Sequence, residues 1–255
     1  MLARYGTEKA VGKGIKKSGV PRSEIFLTTK LWNNNHHPAD VGPSLDDSLK
    51  ELETDYVDLL LMHWPVAWER GPEPFPMRDG KPAVIDVDYV DVCLPFLLFF
   101  FFFFLSIDHA SHDSAPPHPP RNIYLANNSL QTYKAMENLI PTGKARAIGV
   151  SNFSKAEVER VLQNSLVVPA VHQFERHPWL QQRDFVDWHK SKGIHVTQYS
   201  PLGNQNALYP SGEGIGHLVD DPVLVEIGKK YNKSSAQVAL GMFLFLYFLL
   251  VLITG

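Results

Sequence analysis

The sequence predicts an α/β fold, and within that class a (β/α) barrel. Short apolar segments with the composition of buried strands alternate with amphipathic helical segments between residues 25 and 221, which is the pattern of repeated βα units around a parallel sheet. Polar or aromatic side chains recur where the strands end, as they do at the functional rim of a barrel. An open dinucleotide-binding sheet would need a Gly-x-Gly-x-x-Gly turn after its first strand, and this sequence has none.

Five strands are predicted, and each delivers a side chain capable of chemistry. They are Ile25–Thr29, Tyr56–Met62, Ala147–Val150, Ala170–Phe174 and His195–Gln198. The first three end at Lys30, His63 and Ser151, the fourth contains Gln173, and the fifth ends at Tyr199. Because parallel strands end at one edge of their sheet, we expect these side chains to share a site.

Helices are predicted between the strands from apolar residues spaced three or four positions apart. The predicted helices are Val41–Leu52, Ala156–Leu162 and Pro222–Tyr231. In the last of them, the face expected to pack on the sheet consists of Val223, Ile227 and Tyr231. The first 19 residues also have a helical pattern and lack the apolar core of a signal peptide, so we expect a cytoplasmic protein.

The composition disfavours several classes of partner. The chain has 255 residues, of which 44% are hydrophobic and 20% are charged, and its formal net charge is -3. This balance lacks the basic stripe that binds nucleic acid or an anionic membrane. Cys93 is the one cysteine, which rules out an internal disulfide and fits a reducing compartment. The expected partner is a small molecule, and no feature of the sequence indicates an oligomeric state.

Two segments depart from the barrel pattern. Residues 92–130 contain six consecutive phenylalanines, Phe99–Phe104, followed by a Pro-rich run, and residues 242–255 form an apolar tail. The apolar run in each is shorter than the roughly 20 residues that span a bilayer as a helix. We therefore expect no membrane-spanning helix in either segment.

Removal of the first segment would restore a helix that the pattern otherwise lacks. With Asp91 joined to Gln131, apolar residues fall on one helical stripe. The stripe consists of Val90, Tyr133, Met136, Leu139 and Ile140. We therefore interpret residues 1–91 and 131–241 as one barrel interrupted by translated intron sequence, and the tail as a read-through or frameshift.

Two polar clusters are predicted to carry no chemistry. Residues 33–37, NNNHH, lack a second set of ligands at metal-binding spacing. They are interpreted as a polar loop, and no metal site is predicted. Glu51, Glu53, Asp55 and Asp58 flank a helix–strand junction and are interpreted as a solvated face.

A series of motifs carries a resemblance to a known family. The motifs are YGTEKAVGKGI, LTTKLWN, LLLMHWPV, RAIGVSNF, PAVHQFERHPWL and VTQYSPLG. One triplet such as His-Trp-Pro would be weak support, but the set in family order is specific. The sequence from Tyr5 to Ala239, without residues 92–130, resembles the aldo-keto reductase family. The resemblance implies a (β/α)8 TIM barrel and the NAD(P)H-dependent reduction of an aldehyde or ketone to an alcohol.

The resemblance also assigns catalytic roles. It makes Tyr5 the proton donor, Lys30 the cation that lowers the pKa of the tyrosine, and His63 the group that orients the carbonyl by a hydrogen bond. A phenol with a pKa of about 10 is a poor acid until a neighbouring cation stabilises its phenolate. A reduced nicotinamide cofactor, NADPH or NADH, would supply the hydride.

Further residues match the cofactor and substrate positions of the family. The cofactor positions are Ser151, Asn152, Gln173, Tyr199, Ser200 and Leu202. The first three match the carboxamide site, the tyrosine matches the ring that stacks on the nicotinamide, and the last two match the pyrophosphate side. Trp32, His63 and Trp64 match the walls of an apolar substrate pocket.

Each assignment has a structural alternative. Lys30 at a strand end is ordinarily solvated, and His63 is ordinarily a hydrogen-bonded structural histidine. An isolated tryptophan such as Trp32 is ordinarily a core residue. Asn152 could cap the helix that follows it, as could Ser154.

The sequence departs from the family pattern at both ends. The family places an aspartate about five residues before the tyrosine, at the end of the first barrel strand, and that position would precede Met1. After residues 236–240, AQVAL, the last two βα units and the segment that binds the adenosine 2′-phosphate are not recognisable. We therefore expect an incomplete barrel, a Lys30 without its carboxylate partner, and little or no reductase activity.

Two other functions compete with carbonyl reduction. One is a non-catalytic partial barrel whose apolar insert or tail binds a protein partner or a membrane. The other is a different barrel enzyme, such as an isomerase or lyase, which the combination of Tyr5, Lys30 and His63 disfavours.

Overall fold

The computed structural model describes residues 6–85, 130–203 and 216–243. The chain divides into two compact units, Met1–Pro169 and Ala170–Gly255, which are called unit 1 and unit 2 below.

Several sequence predictions fall elsewhere in the chain. Tyr5, Cys93 and nearly all of residues 92–130 and 242–255 lie outside the described residues. The interpretation of those two segments as foreign to the barrel therefore stays a prediction.

Unit 1 contains a parallel three-stranded sheet with helices between its strands. Its elements are α1 (Glu8–Ser18), β1 (Thr28–Leu31), α2 (Pro38–Leu52), β2 (Val57–Met62), β3 (Met77–Arg78), β4 (Lys81–Pro82), α3 (130–137), β5 (Ala145–Ser151) and α4 (Lys155–Asn164). Strand β2 pairs in parallel with β1 on one side and β5 on the other, and β3 and β4 form a small antiparallel hairpin. Every residue of β2 is buried, as expected of a central parallel strand.

Helices α2 and α3 bury the faces that their sequence patterns predict. The predicted face of α2, Val41, Leu45, Leu49 and Leu52, is buried. In α3, Tyr133 and Met136 are fully buried, and the Tyr133 hydroxyl donates to the Val167 carbonyl at 3.1 Å. The helix ends at residue 137, earlier than the predicted stripe, yet Leu139 in the following turn is also buried.

Unit 2 begins with a βαβ arrangement. Its elements are β6 (Val171–Glu175), α5 (Arg183–Ser191), β7 (His195–Tyr199), α6 (Pro222–Tyr231) and α7 (235–243). Strands β6 and β7 are parallel, so both units have the α/β organisation that the sequence predicts. Within the three described ranges, no helix is both long enough and apolar enough to cross a membrane.

The first predicted strand begins too early. Phe26 is 70% exposed. The Ile25 carbonyl accepts a hydrogen bond from the Arg22 guanidinium at 2.6 Å and not from a neighbouring strand. Pairing with β2 starts where the Leu27 carbonyl accepts the amide of Asp58 at 2.9 Å. The strand also continues to Leu31, so Lys30 lies inside β1 and not after it.

The predicted face of α6 is wrong. The three residues expected to pack inward are exposed by 38% to 63%: Val223, Ile227 and Tyr231. Leu224 packs instead in a small core with Leu218 and Ala239. Gly228 lies on the same face of α6. A Cβ at this position would lie 2.5 Å from the Lys233 carbonyl oxygen, so the chain after α6 packs closely against this face.

The expectation of a solvated carboxylate face is wrong for Asp58. Its carboxylate is buried and binds the guanidinium groups of Arg22 and Arg146, each at 3.0 Å, and the Leu27 amide at 2.9 Å. Both guanidinium groups also lie over the Tyr56 ring, about 4 Å from its centroid. Desolvation raises the pKa of the Asp58 carboxyl, but the hydrogen bonds outweigh it and hold this pKa below its ordinary value.

The segment at residues 33–37, predicted as a polar loop, contains a 3₁₀ turn and is largely buried. Asn33, Asn34 and His36 are buried. The Thr132 hydroxyl donates to the His36 carbonyl at 2.6 Å, which ties this segment to α3. Burial lowers the pKa of the His36 imidazole to about 4, because the charged form loses its hydration.

Two fully buried histidines form a hydrogen-bonded pair in unit 2. His172 Nδ1 and His189 Nε2 are 2.7 Å apart, and His189 Nδ1 lies 2.6 Å from the Phe185 carbonyl oxygen. Since a carbonyl only accepts, His189 carries its proton on Nδ1, and His172 Nδ1 must donate to the bare His189 Nε2. Burial lowers the pKa of both imidazoles, that of His172 to about 3.

This pair predicts that unit 2 loses stability in acid. In the unfolded chain the imidazoles bind protons below their ordinary pKa of 6.5, whereas in the folded chain His172 stays neutral down to about 3. The stability of the neutral pair is therefore complete above pH 6.5 and is lost as the pH falls, with a slope of about 1.4 kcal/mol per pH unit for each proton taken up. Urea unfolding at a series of pH values measures this. The double variant His172→Phe/His189→Leu should reduce the dependence between pH 7 and 5 to the part that the buried His36 contributes, whereas His217→Gln, at an exposed site, should leave it intact.

Two glycines of α1 should respond to alanine in opposite directions. A Cβ at Gly12 would lie 2.6 Å from the Leu52 carbonyl oxygen, whereas a Cβ at Gly14 would meet no atom within 4 Å. We expect Gly12→Ala to destabilise the protein by about 2 kcal/mol or more through overpacking. Gly14→Ala should stabilise it by up to about 1 kcal/mol through helix propensity. Thermal unfolding of both variants measures the pair, and equal effects would contradict the close approach.

Candidate active site

Three predicted site residues form a row at the carboxyl end of the sheet in unit 1. The register pairs Leu31 of β1 with Met62 of β2, and Met62 with Val150 of β5. The next residues along the three strands are therefore neighbours. They are Trp32, His63 and Ser151. All three are buried, and the Trp32 and His63 rings meet edge to face with centroids 4.9 Å apart.

Lys30 lies on the same side of β1 as Trp32, because side chains two residues apart on a strand share a face. The lysine is 4% exposed, so it is not the solvated strand-end residue of the structural alternative. Desolvation lowers the pKa of its ammonium to about 8. No carboxylate among the described residues forms an ion pair with it.

A buried carboxylate that contacts β1 was missed by the sequence analysis. Glu8, in the first turn of α1, accepts a hydrogen bond from the Thr29 hydroxyl at 2.7 Å. This bond ties the start of α1 to β1 at the residue before Lys30. The available signal was the glutamate of the YGTE motif, three residues after Tyr5.

Asn152 links the ends of β2 and β5. Its backbone has a φ of 63°, in the left-handed region that asparagine tolerates better than most residues. Its side-chain amide donates to the His63 carbonyl at 2.9 Å and to the Ser151 hydroxyl at 3.1 Å. The following helix is capped by Ser154, which forms a reciprocal capping box with Glu157, so Asn152 is not the helix cap.

Aromatic side chains surround Trp32. Trp68 and Phe75, which the sequence analysis did not select, meet its ring edge to face with centroids 5.2 and 5.5 Å away. The Trp32 indole donates to the Pro74 carbonyl at 2.6 Å. Trp64, which directly follows His63, is 39% exposed. The buried end of this aromatic group therefore adjoins His63, while Trp64 is more open to solvent.

The other predicted cofactor residues lie in unit 2. Gln173 of β6 donates its amide to the Thr197 hydroxyl at 3.1 Å, and Tyr199 ends β7. Ser200 has a φ of 49°, again in the left-handed region. Leu202 packs against the core around Leu218. These four residues follow or belong to the two parallel strands of this unit.

Comparison with known proteins identifies what the chain resembles. A family model described as the Aldo/keto reductase family matches residues 3–245. The uncharacterized oxidoreductase C26F1.07 of Schizosaccharomyces pombe is 41% identical over 228 residues, which cover 89% of this chain and 58% of that protein. Aldo-keto reductase family 1 member A1 of Sus scrofa is 36% identical over 245 residues, which cover 93% of this chain and 62% of that protein.

A solved structure gives the same result. The aldose reductase from Schistosoma japonicum matches with a TM-score of 0.67 and 28% identity, over 92% of this chain and 62% of that chain. The chain thus spans about 60% of the length of the relatives that it matches. Its α/β fold with parallel strands is consistent with the (β/α)8 barrel that the sequence predicts. The chain belongs to the aldo/keto reductase family.

Proposed function

We propose that this chain carries the site of a reductase that converts an aldehyde or ketone to an alcohol with NADPH or NADH, the cofactors that the aldo/keto reductase family uses. The expectation of little or no activity stays a prediction, which the assays below test. The observation that carries the proposal is the buried ammonium of Lys30 on the strand adjacent to the one that ends at His63. An ammonium in a desolvated site exerts a stronger field on a neighbouring group than it would in water. Such a charge is suited to favouring a phenolate and so making a phenol a better acid.

Three residues have separate roles in the transfer of a proton to the substrate. Tyr5 gives a proton to the carbonyl oxygen of the substrate, and Lys30 stabilises the phenolate that remains. His63, edge-on to Trp32, orients that oxygen by a hydrogen bond. When bound, the reduced nicotinamide supplies the hydride.

The donor set fits a nicotinamide carboxamide, which needs both donors and acceptors. In unit 1, Ser151 offers a hydroxyl and Asn152 offers an amide at the carboxyl ends of the strands. In unit 2, Gln173 offers a second amide, Tyr199 a ring for stacking, and Ser200 and Leu202 a turn for the pyrophosphate side. We propose Ser151 and Asn152 in unit 1, and by themselves Gln173, Tyr199, Ser200 and Leu202 in unit 2, as cofactor ligands.

The substrate is proposed to be a small carbonyl compound with an apolar substituent. Trp64 follows His63 in the sequence, and Trp32 lies beside His63 at the end of the adjacent strand. This arrangement suits an apolar wall around one polar group. The composition of the chain supports a cytoplasmic protein with a small-molecule partner and no nucleic-acid partner.

The pH dependence of reduction tests the role of Lys30. Its pKa of about 8 means that the ammonium is present at neutral pH and is lost as the pH rises through 8. We expect kcat for aldehyde reduction to fall above pH 8, because the phenol loses the cation that makes it acidic. Lys30→Met should lower kcat by roughly a hundredfold or more and abolish this step.

The control for Lys30 is an exposed lysine of α2. Lys50→Met removes a charge from the surface and should leave both kcat and its pH profile unchanged. A profile that stays level up to pH 10 in the unmodified chain would count against the proposed role, as would equal losses in the two lysine variants.

Cofactor binding tests the role of Asn152. Asn152→Gly keeps the left-handed backbone accessible and removes only the side-chain amide. We expect the Kd for NADPH, measured by fluorescence titration, to rise about tenfold, the size expected for loss of one half-buried hydrogen-bonding group. An unchanged Kd would refute the assignment of Asn152 as a cofactor ligand.

A further inference from the structure

The loop that follows β2 is fastened to the segment that follows β1. The loop consists of residues 65–76, and the segment consists of residues 32–40. The Trp68 amide donates to the Asn33 carbonyl at 2.9 Å, and the Trp32 indole donates to the Pro74 carbonyl at 2.6 Å. The 65–76 loop is therefore held at two points by residues adjacent to the end of β1, and its Ala67 and Glu69 also hydrogen-bond to Ile85 and Ala83.

Asn34 supplies two further hydrogen bonds of this attachment from a buried position. Its side-chain amide donates to the Gly71 and Glu73 carbonyls, both at 3.1 Å, and the residue is 6% exposed. The Arg70 guanidinium also binds the Asp40 carboxylate, but that pair is half-exposed, and water and salt weaken such pairs. Loss of the Asn34 amide would remove two part-buried hydrogen bonds to the loop at once, which costs more than loss of one exposed ion pair.

The 65–76 loop carries part of the aromatic group around Trp32. Trp68 and Phe75 pack on the Trp32 ring, and their own centroids are 5.8 Å apart. Trp32 in turn lies edge-on to His63. A shift of the loop would therefore change the apolar surface that adjoins the imidazole, without moving the imidazole itself.

We propose that Asn34 is a positioning residue for substrate binding. It does not touch the substrate, and it acts by holding the 65–76 loop so that Trp68 and Phe75 complete an apolar wall beside His63. The substrates that depend on this wall are carbonyl compounds with an aromatic or other flat apolar substituent. This inference rests on the proposed carbonyl reduction for its consequence, whereas the attachment of the loop does not.

The chain offers a matched control at the next position. Asn35 belongs to the same 3₁₀ turn, but its amide donates to the Ser44 hydroxyl of α2 at 3.1 Å and not to the loop. Asn34→Ala and Asn35→Ala thus remove the same group from adjacent positions. Asn34→Asp keeps the shape of the side chain and removes its donors, which separates the loss of hydrogen bonds from the opening of a cavity.

Limited trypsin digestion measures how firmly the 65–76 loop is attached, and it does not require enzymatic activity. Cleavage after Arg70 requires the 65–76 loop to open, and cleavage after Lys192, an exposed residue of unit 2, serves as the internal reference. Relative to that reference, we expect Asn34→Ala and Asn34→Asp to speed cleavage after Arg70 by about tenfold, the change for loss of one to two hydrogen bonds. Asn35→Ala should not change it. Unchanged cleavage in the Asn34 variants, or equal changes at both positions, would overturn the proposal.

Steady-state kinetics with 4-nitrobenzaldehyde measure the effect of the loop position on substrate binding. We expect the Asn34 variants to raise KM by about five- to tenfold and to leave kcat within about twofold, because the wall contributes to binding and not to proton transfer. Faster cleavage with an unchanged KM, or a fall in kcat alone, would overturn the positioning role. If the unmodified chain reduces no aldehyde, the proposed function fails. The positioning role is then decided by cleavage together with equilibrium binding of 4-nitrobenzaldehyde, measured by quenching of tryptophan fluorescence, where equal affinities for Asn34→Ala and Asn35→Ala would overturn it.

Discussion

The parallel register of β1, β2 and β5 is the constraint on which the candidate active site of unit 1 depends. It pairs Lys30 with Leu61 and Leu61 with Gly149, so the next alternate positions along the strands are Trp32, His63 and Ser151. A slip of one residue in any strand would turn its side chains to the opposite face. The run of buried residues in β2 resists such a slip only weakly, because both faces are apolar. Polar contacts at the strand ends, such as the amide of Asn152 on the His63 carbonyl, hold the alignment.

Placing an ammonium in this sheet opposes stability. A Lys30 pKa of about 8 instead of 10.5 means that the charged form is disfavoured by on the order of 3 kcal/mol relative to water. That cost is present below pH 8 and is relieved as the pH rises toward 10.5, so the state that suits proton transfer is also the less stable one. The fully buried core of β2 beside it provides the compensating burial.

Sequence reasoning succeeded where local pattern decides the outcome and failed where distant parts of the chain decide it. The run VDLLLM of β2 and the apolar face of α2 follow from apolar content and spacing. The face of α6 did not, because Gly228 packs by close approach of its backbone to Lys233, which a hydrophobic pattern does not register. Asp58 was misjudged because one of its partners, Arg146, lies 88 residues away. Catalytic roles at Tyr5 and His63 came from the resemblance and not from spacing alone.

Asp58 and Arg146 lie on strands, β2 and β5, that are joined by a long connection. β2 and β5 are joined through 82 residues, of which residues 92–130 make up about half. Since the entropy of closing a loop grows with the logarithm of its length, halving or doubling that connection changes the free energy of folding by only about 0.6 kcal/mol. The closure cost of pairing these strands therefore depends little on the length of the connection, although α3 within it adds buried residues of its own. Any selection that acts through this closure term alone would barely register a change in the length of the connection.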